Sequence, residues 1–377
     1  MSNEKKTTLT RRAVMSAMPF AAVRGATANS VITVGVLGSG GRGSLVARLM
    51  SNTDKARVTA LCDVVDSQIA YAKRTIPAAN ARVFTRYQDL LASDVDAVII
   101  STPVYLHPEH FEAAVRSGKH IYIEKPAGLD VAGCQRVMRA AASADKSRNI
   151  SFGFQRRYGQ NFLKAKKLVD SGAIGPIRQA HAHWIKGLQE IFEWTSLPPR
   201  DTELEKIRQW KWWRDTFGDS IVETYCHGID VLNWFLGGHP LKAHGSGGRT
   251  LIRFGDIRDH LNVSFEYPDN VQASLTGSFI TPVYFRSVHE QFYGTEGVVE
   301  TSQDYWSYYR HKGAPETEAS PRDISIDSAE AFLDRIRTGR VENTAARGAE
   351  STLTAILGRM AMDLGREVTW AEMMKAS

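Results

Sequence analysis

From Val31 to about Phe154, short apolar runs alternate with segments whose apolar residues recur at helical spacing. The runs at 32–37, 57–62, 81–84, 95–101, 120–123 and 150–154 read as strands. Several are almost wholly apolar, as parallel strands buried on both faces are. Helices are expected near 42–52, 66–77, 86–92, 107–118 and 130–145. Strands and helices in strict alternation imply right-handed crossovers and a doubly wound parallel sheet. Past residue 160 the rhythm changes. A helix near 161–171 precedes longer strand-like segments at 177–184, 260–267, 271–279 and 285–293, with a Pro268-Asp269-Asn270 turn between two of them. Antiparallel pairing is expected there. Helices return near 328–338 and 345–366. The fold class is thus α/β: a doubly wound parallel sheet, then a C-terminal α/β domain with a large open, mainly antiparallel sheet.

The 377 residues divide into two domains at roughly 150 residues each, expected at 31–154 and 155–377. With 43% hydrophobic residues the chain can build two real cores, which excludes disorder and a multi-span membrane protein. The net charge of +6 is unevenly placed. Residues 1–28 hold five cations (Lys5, Lys6, Arg11, Arg12, Arg24) against Glu4, leaving +2 for the rest and little footprint for nucleic acid. Cys62, Cys134 and Cys226 lie far apart without metal or redox spacing. None of the histidines pairs with a credible third ligand, so no metal is expected.

The first 28 residues read as an export signal rather than as part of a domain. Arg11-Arg12 precede an apolar run over 13–23 and the small-residue pattern Ala26-Thr27-Ala28. That run is too short to span a bilayer, which takes about 20 residues. Paired arginines before it resemble a twin-arginine signal, which exports folded proteins. The expected location is therefore periplasmic or exported, otherwise cytoplasmic, with no membrane insertion of the mature chain.

The strongest motif is Gly38-Ser39-Gly40-Gly41-Arg42-Gly43, directly after the first strand and opening the first helix. Its glycines suit a tight turn, close approach to a pyrophosphate and helix–strand packing, and the helix N-terminus presents free N–H groups. Asp63 ends the second strand 20 residues past Gly43. A carboxylate there accepts bonds from an adenosine ribose and repels a 2′-phosphate, which favours NAD over NADP. Thr102-Pro103 and Glu124-Lys125-Pro126 end two further strands, at the sheet edge where ligands bind. A third cluster runs from Gly218 through Glu223 and His227 to Asp230. Read as one helix, Glu223 and His227 share a face with Asp230 beside them, setting one imidazole between two carboxylates. Trp194, Trp210, Trp212 and Trp213 are half of all eight tryptophans, and indole faces suit either a sugar ring or a subunit interface.

With His107 and Gly153-Phe154-Gln155-Arg156-Arg157-Tyr158, these elements resemble the Gfo/Idh/MocA oxidoreductase family over essentially all residues from 31 onward. The resemblance implies an N-terminal Rossmann domain and a C-terminal α/β domain whose open sheet forms a homo-oligomer interface. It also implies a small carbohydrate substrate. Lys125 and His227 match the family's catalytic pair. Glu223, Asp230, Arg157, Tyr158 and Trp213 are expected at the substrate, with Arg156 left unassigned. The glycine loop, Asp63, Thr102, Pro103, His107, Glu124 and Lys125 are expected at the cofactor. Glu223 stands where many members have Asp, and Val104 where many have Asn.

The activity expected is hydride transfer between a sugar carbinol carbon and tightly bound NAD, with Lys125 or His227 taking the hydroxyl proton. NAD+ beside Lys125 would favour its neutral amine, and Glu124 would oppose that. Two alternatives use the same residues differently. One is a redox-neutral glycoside hydrolase that oxidises, eliminates, hydrates and reduces. The other is a non-catalytic carbohydrate or nucleotide sensor.

Overall fold

The computed structural model describes residues 31–78 and 80–376. The expected leader, 1–28, lies outside them. The first sheet contains β1 (Ile32–Leu37), β2 (Ala56–Cys62), β3 (Arg82–Phe84), β4 (Ala97–Ile100), β5 (His120–Ile123) and β6 (Ile150–Phe152). All pair in parallel, in the order β3-β2-β1-β4-β5-β6. Between them run α1 (Gly41–Ser51), α2 (Asp66–Thr75), α3 (Tyr87–Leu91), α4 (His107–Arg116) and α5 (Val131–Ala142). The apolar runs are continuous because alternate side chains serve two cores. Leu37, Val98 and Ile100 enter one, while Val34, Val36 and Ile99 enter the other. Chain order reverses between β1 and β4, which opens a crevice at the carboxyl ends of those strands.

The second half holds α6 (Gln160–Asp170), β7 (Ile177–Lys186), α7 (Gln189–Glu193), α8 (Glu203–Arg208), α9 (Arg214–Phe217), α10 (Ser220–Glu223) and α11 (Cys226–Leu236). Then follow β8 (Lys242–Gly248), β9 (His260–Tyr267), β10 (Val271–Ser278), β11 (Arg286–Gly294), β12 (Gly297–Ser302), β13 (Tyr305–Arg310) and β14 (Glu316–Ala319). The chain ends with α12 (Ile324–Thr338), α13 (Ala345–Leu364), β15 (Val368–Thr369) and α14 (Trp370–Lys375). The strands form a nine-stranded sheet, β14-β13-β12-β11-β7-β10-β9-β8-β15, antiparallel throughout except for β7 with β10. Helices α11 and α13 pack on one face. The other face carries His181, His183 and His289, with the rings of His183 and His289 stacked 4.7 Å apart.

The two halves share a core. Phe332 and Leu333 of α12 pack with Val34 and Val36 of the first sheet, and Tyr122 and Ser328 are hydrogen-bonded through their hydroxyls at 3.1 Å. Thr344 Oγ1 accepts from the N–H of Phe152 at 2.8 Å, tying the start of α13 to β6.

The segment from Gly218 to Asp230, read above as one helix, is broken into α10 and α11. The N–H groups of both Thr224 and Tyr225 donate to the Ser220 carbonyl, which ends α10, and a fresh turn begins with Gly228 N–H bonding to the Tyr225 carbonyl. The Tyr225 ring is buried against Phe279 and above Gly277, a packing requirement that overrides helical continuity.

Candidate active site

Three cavities lie along the crevice as one trench. The first, about 450 Å³, has Asp63, Thr102 and Pro103 in its walls. The second, about 390 Å³, is lined by Arg42, Glu124, Lys125, Glu223 and His227. The third, about 250 Å³, is lined by Trp184, Trp212, Lys186 and Phe279. Gly40, Gln68, Ser101, Thr102 and Trp210 border both the first and the second, and Trp210 and Glu223 border both the second and the third.

The glycine loop sits at the head of the first two cavities. Gly38 has φ +85°, and a Cβ there would lie 2.5 Å from the Ser101 carbonyl oxygen. A Cβ on Gly43 would lie 2.0 Å from the Gly38 oxygen, so the helix could not close on the strand with any other residue. Asp63 fixes the same loop. Its Oδ2 accepts from Ser39 N–H at 2.8 Å and its Oδ1 from Val65 N–H at 2.9 Å. Burial pushes the Asp63 carboxyl upward, against the pull of these backbone N–H donors. Each oxygen keeps lone-pair capacity for a hydroxyl in the cavity. Ser39 itself is fully buried, and its hydroxyl turns to the Cys62 carbonyl. Gly41 borders the second cavity. These residues fit a nicotinamide dinucleotide, with its adenosine ribose at Asp63.

Lys125 leaves β5 through a cis Lys125–Pro126 bond and is buried beneath the second cavity. Its Nζ donates to the Glu223 carboxylate at 2.6 Å and also to the Glu223 main-chain carbonyl. Burial works to lower the lysine's pKa, but the Glu223 carboxylate, with the Cys226 thiol and Glu124 beside it, outweighs burial and the net shift is upward. The partner expected to oppose deprotonation was Glu124. Its effect is smaller than that of Glu223, and its carboxylate is held by Arg42 Nε at 2.8 Å. The helix break makes the Lys125 contact possible: the Glu223 carbonyl accepts from Lys125 and from the Cys226 thiol at 3.2 Å.

His227 does not lie between two carboxylates. Its ring stacks on Trp184 with centroids 5.5 Å apart and meets Phe154 edge-on at 6.0 Å. Its Nδ1 is buried without a hydrogen-bond partner among the described residues. Burial, reinforced by Lys125, Arg156 and Arg42, drives its pKa well below that of an ordinary histidine, so the ring is neutral. The Asp230 carboxylate turns away to Arg157, with Nη2 to Oδ1 at 2.8 Å, and accepts from Ser351 Oγ at 2.7 Å.

Four of the expected substrate contacts are not at the trench. Arg157 and Asp230 pair with each other, and the Arg157 guanidinium lies 5.4 Å from the Trp234 ring. The Tyr158 hydroxyl accepts from Arg347 at 3.2 Å, beneath α13. Trp213 packs under Arg200, while Trp210 and Trp212 take the cavity positions. His107 borders the second cavity but acts as a strut. Its ring nitrogens lie 2.7 Å from the Pro126 carbonyl and 2.8 Å from the Thr102 carbonyl, linking the ends of β5 and β4. Arg156 is buried against Glu290 and lies 5.1 Å from the Trp184 ring. Sequence reasoning named Trp210 only as one of a tryptophan cluster, and missed Trp184 and Gln68. Trp184 carried a signal, as a large aromatic at the end of a predicted strand; Gln68 carried none. No group of three His, Cys, Asp or Glu side chains is placed to hold a metal among the described residues, and none of their helices is long and apolar enough to cross a membrane.

The profile of an oxidoreductase family with an NAD-binding Rossmann fold, GFO_IDH_MocA, matches residues 32–152. The profile of the GFO/IDH/MocA C-terminal domain matches 162–300. The chain belongs to the Gfo/Idh/MocA family. Among relatives, inositol 2-dehydrogenase of Salmonella typhimurium is 27% identical over 307 residues, 80% of this chain and 82% of that one. Among solved structures, levoglucosan dehydrogenase in complex with NADH and levoglucosan matches with a TM-score of 0.77 at 17% identity, over 90% of this chain and 99% of that one. Apo scyllo-inositol dehydrogenase from Lactobacillus casei matches with a TM-score of 0.73 at 21% identity, over 91% and 99%. NAD is the cofactor of this fold, and the parallel sheet followed by a mainly antiparallel one is the architecture expected from the sequence.

Proposed function

We propose that the protein oxidises a secondary alcohol of a sugar or cyclic polyol, with NAD held in the first two cavities and the substrate in the third. The observation that carries this reading is the meeting of Lys125, Glu223 and His227 where the dinucleotide cleft opens into a tryptophan-walled cavity. Indole faces suit the C–H face of a polyol ring, while Lys186 and Glu223 supply polar contacts. Bound NAD supplies the hydride acceptor. Neutral His227 borders the second cavity and is the group suited to accept the hydroxyl proton as hydride leaves. Lys125, kept protonated by Glu223, stabilises the developing alkoxide oxygen electrostatically. The inositol dehydrogenase and levoglucosan dehydrogenase likenesses support a cyclic polyol or anhydrosugar as substrate class. Nothing in the comparisons favours the glycosidase or sensor alternatives. Export by the N-terminal leader and assembly through the open face of the nine-stranded sheet also belong to this proposal.

The test is to denature the purified protein, identify the released nucleotide, and follow absorbance of reduced nicotinamide with inositols, aldoses and anhydrosugars. Reduction by at least one polyol, lost in Lys125→Ala and His227→Ala, is expected. Wild-type rates in both variants would overturn the assignment.

A further inference from the structure

The far wall of the dinucleotide cleft does not come from the nucleotide-binding sheet. It comes from the connection between β7 and α10, whose helix α8 is started by a capping box. Thr202 Oγ1 accepts from Glu205 N–H at 3.2 Å, and the Glu205 carboxylate accepts from Thr202 N–H at 2.9 Å. From α8 and the turn after it, Glu203, Ile207, Arg208 and Trp210 enter the cavity that has Asp63 on its opposite side. Trp210 borders all three cavities. A hydrogen bond fastens the segment across the cleft. The Tyr105 hydroxyl, in the turn after β4, donates to Glu203 Oε1 at 2.6 Å, and Lys206 Nζ lies 4.7 Å from the Tyr105 ring centroid. Burial and then the Glu203 carboxylate raise the Tyr105 pKa, so this bond keeps its donor at all working pH. Arg208 is different: it is exposed and makes no ion pair or side-chain hydrogen bond among the described residues.

We propose that residues 200–213 form a latched cofactor clamp. Ile207 and Trp210 close over the dinucleotide, Arg208 pairs with its pyrophosphate, and Tyr105–Glu203 is the latch. The proposal rests on the dinucleotide reading of the cleft. Ile207 gives apolar cover at the end where Asp63 selects the ribose, and Trp210 covers the passage toward Lys125. Arg208 shares this cavity with Asp63, Glu109 and Glu203, and the cofactor's own anion for a cation there is the pyrophosphate, since Asp63 repels a 2′-phosphate. With this wall held over the cofactor, the latch sets the rate of release.

The test uses the full chain loaded with NADH and mixed with excess NAD+, following the loss of NADH fluorescence. Tyr105→Phe and Glu203→Gln should each release NADH about tenfold faster, as loss of a charge-assisted hydrogen bond implies. The double variant should be no faster than Tyr105→Phe alone, since both changes act on the same bond. Arg208→Ala should weaken NADH binding and flatten its dependence on salt. Circular dichroism of the variants checks the fold, and both latch side chains meet solvent. Binding of NADH with wild-type release from both latch variants would overturn the clamp while leaving the function intact. Failure of the wild-type chain to bind any dinucleotide would overturn both.

Discussion

Lys125 is held twice by one residue: its ammonium bonds both the side-chain carboxylate and the main-chain carbonyl of Glu223. The carbonyl is free for this because α10 stops at Glu223 instead of running into α11. A lysine this buried would otherwise lose its proton readily. The pair therefore sets the charge state of the trench at the point where the first two cavities meet the third.

Glu223→Gln keeps the shape and removes the charge. Burial then dominates Lys125 and its pKa falls, so alkoxide stabilisation should fail at alkaline pH where the wild type still works. A 10- to 100-fold loss of hydride-transfer rate is expected, of the order that general acid–base and electrostatic groups supply. Glu223→Asp retains the charge and should lose less than tenfold. Single-turnover reduction of bound NAD+ across pH measures both.

His227 is neutral because burial and the cations around it disfavour its charged form. A base in this state stays competent through the range where an ordinary histidine, near 6.5, would protonate. The rate should therefore be flat through that value and fall only at more acidic pH. An acid limb at or above 6.5 in the pH profile of kcat/KM would exclude His227 as the proton acceptor.

Asp63 both positions the glycine loop and faces the ribose site. Asp63→Asn keeps one acceptor oxygen, loses the charge, and can satisfy only one of the Ser39 and Val65 N–H groups well. NADH affinity should drop about tenfold, and discrimination against NADPH should shrink because the repelling carboxylate is gone. Fluorescence titrations with both nucleotides report this.

Much of this was legible in the sequence because its signals are local. Buried parallel strands need continuous apolar runs, and the loop at 38–43 cannot close without its glycines. The four substrate contacts that moved away failed for a common reason. Arg157, Tyr158 and Asp230 follow from the family resemblance and Trp213 from the fit of indole to a sugar ring, while their side-chain directions are set by α13, α11 and Arg200. The break at Thr224 and Tyr225 was invisible for the same reason: what enforces it is packing of Tyr225 under Gly277, some fifty residues away. Strand β8 was hidden by its composition, with three glycines in seven residues.

Arg157 and Asp230 give a direct test of that relocation. Asp230 is almost fully buried, and removing the guanidinium leaves its charge with Ser351 alone. Arg157→Ala should destabilise the fold by about 3 kcal/mol, the penalty for an uncompensated buried charge. Because neither residue borders the trench, the turnover of the folded fraction should stay within a few-fold of wild type. Urea unfolding and initial rates on the same sample separate the two effects. A raised KM with unchanged stability would return Arg157 to the substrate.

The buried histidines predict how the fold fails in acid. Burial lowers the pKa of His110 to about 4 and of His120 to about 4, and drives those of His107 and His227 downward as well. In the unfolded chain each regains its ordinary value near 6.5. Between 6.5 and 4 the unfolded state therefore binds protons that the native state does not. By linkage, stability is fully present above 6.5 and is lost as pH falls through that window. His110 and His120 alone amount to two protons, a slope approaching about 2.7 kcal/mol per pH unit once both are charged in the unfolded chain. Melting temperature measured from pH 8 to 4.5 should be level at first and then drop steeply below about 6. Replacing His120 with Gln, which can still accept from Asn149 N–H as the imidazole does, should make that descent shallower. A melting temperature unchanged down to pH 5 would mean that these rings carry their protons in the folded protein.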